Sequence, residues 1–439
     1  MLLSNHVMLA DQYFERLAFG WQKRCRLLDS HGIGFAELIR IDQGIAACAR
    51  ALVDIGPIVA SVLLQRFEDP IIAPETFAMT LCAIGRHDRA LFQSCIALVQ
   101  SMPQHRAAFL SALEWAAPDA LLHAVSHLER NSGLHIAASI VAATVHGDLR
   151  AAVVPGIWSA AEPFREECGL MLMQLALQDH GQAPVGLAIR LIESPIPEVR
   201  CAAADFLLSR PHSQHSGAAL ACLQALAQQA GPGQTQAVFV LASHAPQALE
   251  KQLGGIAAMD PRLHILALGW LGRSAHVPTL IDYLSQPALA RLAGAMLSQI
   301  TGSQPAADAW QAPPADYPAS PGIDDTDAIP APRPDAGLPE PDPAAFAAWW
   351  NAHQRQFDPG QRYLGGQNET AFHLLTILQQ GRLAWRPLAA HRLQQLGHGA
   401  RLNTTLPASI QLAQLHRLAQ TAPVGTSSKR STHVQAFHS

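Results

Sequence analysis

Arg262-Leu-His-Ile-Leu-Ala-Leu-Gly-Trp-Leu-Gly272 is followed by Arg-Ser-Ala-His and then by Val277-Pro-Thr-Leu-Ile-Asp-Tyr-Leu284. The stretch reads as an apolar helix, a short turn and a second apolar helix. Gly272 suits the left-handed conformation that ends a helix. Pro278 suits the first turn of the next, where its missing N–H has no intrahelical acceptor to lose. Ile196-Pro-Glu-Val-Arg-Cys-Ala-Ala-Ala-Asp-Phe-Leu-Leu208 repeats the pattern. The small residues on these helices let neighbours approach closely.

Outward from this unit, similar helix starts fall near Thr76, Arg106, Leu134, Phe164, Val199, Gln234, Arg262 and Leu289. Their spacing of roughly 27 to 35 residues is a repeat period, and such repeats stack because one helix pair cannot bury both of its faces. Residues 71–302 therefore read as an all-α, HEAT-like α-α superhelix, a right-handed solenoid. Before it, residues 1–70 read as an N-terminal helical cap. Leu38, Ile41, Ile45, Cys48 and Leu52 make one apolar stripe there, after the turn Asp29-Ser30-His31-Gly32.

Residues 302–343 are of another composition, with 11 prolines, eight acidic residues and one Arg. Proline removes donors and the charges repel, so 303–343 reads as an extended, solvated linker. Residues 344–420 return to helical patterning as a small C-terminal helical module. The 421–439 tail, rich in Ser and Thr, reads as disordered. From 344 onward the chain holds nine Lys/Arg against two acidic residues, opposite in sign to the linker.

The 439 residues are 49% hydrophobic but only 15% charged and 6% aromatic. A typical soluble domain carries about 25% charged residues, so most of this chain buries a core. Its net charge of −4 argues against nucleic acid as a partner, which calls for a basic face. No apolar run reaches the roughly 18 residues of a membrane span. The start, MLLSNHVMLADQ, lacks a signal peptide's basic n-region and apolar core. Seven single cysteines without a CxxC read as reduced, buried hydrophobes, and the expected location is cytoplasmic.

Motifs of active-site chemistry are missing. There is no GxGxxG, GxxxxGK[ST] or GxSxG, and Leu364-Gly365-Gly366 only superficially resembles a phosphate turn. His212 and His215 lack further ligands nearby, and His123 and His127 lack the Glu of a metalloprotease motif. Glu166 and Glu167 diverge around a helix. The expectation is no enzyme, no cofactor and no metal. Trp349 and Trp350 stand out, because adjacent helical residues lie about 100° apart and cannot bury equally against one surface. With Arg355, Arg362 and Tyr363 they are the candidate partner-binding residues.

Three stretches resemble a family. Leu38-Ile-Arg-Ile-Asp42-Gln-Gly-Ile-Ala-Ala-Cys-Ala-Arg-Ala-Leu52 is similar to its N-terminal "LxRLDxRLxAHLxGL" helix. Ala290-Arg-Leu-Ala-Gly-Ala-Met-Leu-Ser-Gln-Ile-Thr-Gly302 is similar to "ARLAGEAFxxITG", and Trp349 to Leu364 to "WWxxxxxxFxxGxRYLxG". The family is an uncharacterised bacterial HEAT-like repeat family whose genes commonly lie near type VI secretion clusters. Gln43-Gly44 and Cys48-Ala49 depart from its pattern. The resemblance implies a cytoplasmic, non-enzymatic adaptor or chaperone for a secretion effector or spike-tip protein. An immunity protein for a co-encoded toxin and a HEAT-like lyase or small-molecule binder are the alternatives.

Overall fold

Residues 2–130, 132–146, 156–178, 185–210, 214–313, 335, 337–398 and 400–421 are described by a computed structural model. It is mostly helical. One series of helices starts at Ala73, Arg106, Gly133, Arg165, Pro197, Gln234, Pro261 and Ala290, within three residues of the starts read from the repeat period. Local signals fix these starts and stops. Asp260 caps the Pro261–Leu271 helix by accepting from the backbone N–H groups of Arg262 and Leu263. Gly272 ends that helix at φ +70°.

Each member of the series packs on the next. The Leu2–Leu27 helix touches Ala73–Gly85, which touches Arg106–Glu114, and so on through Gly133–Val145, Arg165–Gln178, Pro197–Leu208, Gln234–His244, Pro261–Leu271 and Ala290–Thr301. The second helices lie against this row. Ser216–Ala227, for example, covers both Pro197–Leu208 and Gln234–His244. Members of the row therefore have neighbours on several sides. Ala73–Gly85 buries every residue from Thr76 to Ile84, and its apolar pattern runs all round the helix instead of in a stripe. Cys82, Cys95 and Cys201 are buried in this core, where desolvation pushes their thiols up to about 12. Among the described residues no single helix is long and apolar enough to cross a membrane.

The C-terminal residues depart from the reading as a tethered module. Phe346, Trp350, Phe357 and Tyr363 share one core with Leu268, Leu280 and Met296 of the last helix pairs. Leu364, Leu374, Trp385 and Leu393 share another with Phe35 and Leu38 at the other end of the sequence. The Ala371–Gln380 and Ala408–Thr421 helices pack on Phe35–Asp54, and Arg386–Gln395 packs on Gln234–His244. Leu383 and Ala384 donate backbone hydrogen bonds to Ile33 and Ser30 at 2.8 and 3.2 Å. The described residues from 343 to 421 thus join the first helices to the last ones.

The ends of the acidic stretch are docked, not solvated. Trp310 is 1% exposed and meets Phe346 edge to face at 5.0 Å. Gln311 pairs with Pro341 in an antiparallel bridge. Asp335 and Glu340 sit 2.7 and 2.6 Å from Arg262 and Arg291. Composition registers the charge of these acids but not the arginines that meet them. The expectations for 314–334, 336 and 422–439 fall outside the described residues.

Candidate functional site

The five residues singled out from sequence lie mostly inside the joint between the C-terminal residues and the helix series. Trp350 is 7% exposed and packs on Phe357, and Tyr363 is 4% exposed. The Tyr363 backbone N–H donates to the Gly272 carbonyl at 2.7 Å, and its hydroxyl accepts from the Asp358 N–H at 2.6 Å. Arg362 donates to the Ala242 carbonyl at 2.9 Å and lies 3.7 Å from the Glu369 carboxylate. Burial, then the neighbouring Arg273, pushes the Arg362 pKa down to about 10. Trp349 is half-buried and stacks on His353 at 4.3 Å, while Arg355 is exposed. The two tryptophans do bury unequally, but Trp350 is taken up by the protein's own core.

Glycines make this joint possible. Gly302, Gly365 and Gly366 all have positive φ, at +73°, +60° and +81°. The Gly365 N–H donates to the Gln299 carbonyl at 2.6 Å and that of Gly366 to the Ile300 carbonyl at 3.2 Å. A Cβ on Gly302 would stand 2.6 Å from the Gly365 carbonyl oxygen. Backbone meets backbone here, so neither side can yield cheaply. Gly302→Ala is expected to cost about 1–3 kcal/mol, from the left-handed strain and the clash together. Denaturant unfolding checks it, and an unchanged midpoint would show that the joint does not contribute to stability.

Deeper in, three segments distant in sequence converge on one carboxylate. Asp205 lies on Pro197–Leu208, His244 ends Gln234–His244, and His391 lies on Arg386–Gln395. The Arg401 guanidinium grips both Asp205 oxygens, with Nη2 2.8 Å from Oδ1. It also donates to Ser209 Oγ at 3.2 Å, and its Nε donates to Gln394 Oε1 at 2.8 Å. His244 Nε2 is 2.8 Å from Asp205 Oδ1, and His391 Nε2 lies 3.0 Å from Arg401 Nη1. Burial by itself would raise the Asp205 carboxyl, but the Arg401 charge, with hydrogen bonds from Arg401 and His244, outweighs it and holds the group well below its usual range. Burial, then Arg401, keeps His391 neutral, so its Nε2 accepts the guanidinium hydrogen bond. His391 Nδ1 is buried without a protein partner.

The ligand atoms of Asp205, His244 and His391 lie within 4.8 Å of one another, a donor set suited to a transition-metal ion. Arg401 already provides the cation at this carboxylate. A second cation would have to displace a bidentate guanidinium, so the group fits an internal ion pair better than a metal centre. Beside it is a cavity of about 260 Å³ whose mixed lining includes Gln174, Gln178, Gln236 and Asn403 beside Leu170, Leu177 and Leu402. A second contact of this kind fixes the N-terminus. Arg24 Nε donates to Asp42 Oδ1 at 2.8 Å, and Arg24 also donates to the Leu406 carbonyl at 2.7 Å. Asp42 Oδ2 accepts from the N–H of Ala408 at 2.7 Å, at the start of the last helix.

A larger cleft of about 780 Å³ opens between the Asp29–His31 turn, the inner helix row and Ala384–Pro387. His31 lines it. Burial, then Arg382, pushes this imidazole down to about 4. Its folded pKa lies below the unfolded value, so its contribution is present above about pH 6.5 and is lost as pH falls toward 4. His31→Gln should remove at most about 3 kcal/mol of pH dependence from that window. Melting curves between pH 7 and pH 4 check it. Identical slopes for the two proteins would contradict the burial of His31.

None of the residues of the Asp205 cluster was singled out from sequence. They lie up to 196 positions apart and form no local pattern. The three family-like stretches all reach into the joint, through Leu38 and Asp42, through Gly302, and through Tyr363 and Leu364. Comparison with protein-family models, with curated proteins and with solved structures gives no match to this chain.

Proposed function

We propose that this protein is a non-enzymatic protein-binding scaffold, with the helix series forming a HEAT-like solenoid. The observation that carries the reading is the serial packing of the row from Leu2–Leu27 to Ala290–Thr301. Repeats stacked on nearest neighbours present an extended surface suited to a partner helix or strand. The C-terminal residues bind the two ends of the row together, which pre-organises that surface and lowers the entropic cost of binding. The resemblance of residues 38–52, 290–302 and 349–364 supports a more specific role, that of a cytoplasmic adaptor or chaperone for type VI secretion effectors or spike components. An immunity protein for a co-encoded toxin would use the same kind of surface.

Co-expression with the products of the flanking genes tests the reading. A stoichiometric complex that survives gel filtration is expected with one of them. Gel filtration showing no complex with any of them would overturn the adaptor role. The small cavity beside Asp205, whose wall includes His391 with its unpartnered Nδ1, favours one second reading, a small-molecule binder. Native mass spectrometry of protein purified from its host distinguishes the two, since a retained low-mass ligand supports only the second.

A further inference from the structure

The 780 Å³ cleft has two kinds of lining residue. One is aromatic. Phe239 and Trp270 meet edge to face with ring centroids 5.2 Å apart, and both are half-buried. They are held from behind, Phe239 by the His391 ring at 4.8 Å and the Trp270 backbone by Arg392. Their faces are therefore fixed before anything binds.

The lining also holds carboxylates. Asp29 and Glu198 supply them, and among the described residues neither takes part in an ion pair. The cation in the lining does not balance them. Arg262 Nη2 is paired with Asp335 at 2.7 Å, and its Nη1 donates to the Ala288 carbonyl at 3.1 Å. His31 is neutral at pH 7, because burial holds it near pH 4, and its Nδ1 has no partner. The Asp335–Arg262 pair cancels itself, which leaves two unpaired carboxylates in the same lining as the two rings.

An organic cation with an apolar body satisfies both kinds at once. Its charge answers the carboxylates, and its body covers the rings with a cation–π contribution. We propose that this cleft recognises an Arg or Lys side chain carried on an apolar segment of a partner protein. The inference rests on the scaffold reading and names the chemistry that the scaffold would select. A free amine would share that chemistry, and the test separates the two sources.

The experiment is calorimetric titration of the full chain with acetyl-Leu-Arg-Leu-amide, with the same peptide carrying citrulline for Arg, and with agmatine. The Arg peptide is expected to bind about tenfold or more tighter than the neutral one, and to weaken as salt is raised. Asp29→Asn combined with Glu198→Gln should lower its affinity by a similar factor without moving the melting temperature. Equal binding of the citrulline peptide, failure of the Arg peptide to bind, or unchanged affinity in the double variant would each overturn the proposal. The citrulline comparison and the salt series use the unaltered chain, so they decide the question even if the double variant misfolds. Agmatine binding as tightly as the peptide would overturn the partner-segment assignment in favour of a free amine. A flanking-gene complex that survives both substitutions would keep the scaffold and refute the cleft as its recognition element.

Discussion

Replacing Asp205 by Leu should destabilise the protein by about 3–5 kcal/mol, among the largest effects of any single substitution. Asp205 is 4% exposed and balances the Arg401 guanidinium inside the joint. Removing it leaves a cation buried with only neutral partners, because His391 is held neutral and His244 loses its acceptor. Breaking one side of a buried pair costs far more than the pair itself contributes. The double variant Asp205→Leu with Arg401→Met should therefore be more stable than Asp205→Leu alone, since no orphaned charge remains. Urea unfolding of the three variants measures this coupling. Additive losses would mean that Arg401 does not meet Asp205.

Leu268→Asp should be of similar severity, several kcal/mol. Leu268 is 1% exposed and lies in the core formed with Val277, Leu280 and Met296. The same core contains Phe346 and Tyr363, so a carboxylate at 268 disturbs a helix pair and the docked C-terminal residues together. Its neighbours in that core are apolar, and an unpaired buried charge is the costliest polar substitution a core can take. Thermal melting checks it. An unchanged melting temperature would place residue 268 on the wrong face of its helix.

The helix series was legible because its signals are local. A proline opens the Pro197–Leu208 and Pro261–Leu271 helices, and Gly272 and Gly302 end two of them with left-handed backbone. Each such signal acts within a few residues, so one sequence is enough to read it. The role of the C-terminal residues was not legible, because every contact that defines it spans a large sequence separation. Arg24 reaches the Leu406 carbonyl 382 positions away. Arg392 sits among the fully buried side chains, and a count of basic residues from 344 onward says nothing of where each one lies. The candidate partner residues were affected likewise. Trp350 and Tyr363 carried an unusual local pattern, but the pattern marks a seam within the chain. The Phe239–Trp270 wall and the Asp29 and Glu198 carboxylates come from four separate segments and gave no motif at all.

The central claim is that the C-terminal residues are part of one folded body and do not form an independent appendage. Truncation after Gly302 tests it most directly, with melting temperature and gel filtration as readouts. The account predicts a lower melting temperature and aggregation. The truncation uncovers Leu268, Leu280 and Met296 at one end, Phe35 and Leu38 at the other, and leaves Asp205 without Arg401 between them. A truncated protein that stays monomeric and melts at the temperature of the full chain would contradict the account.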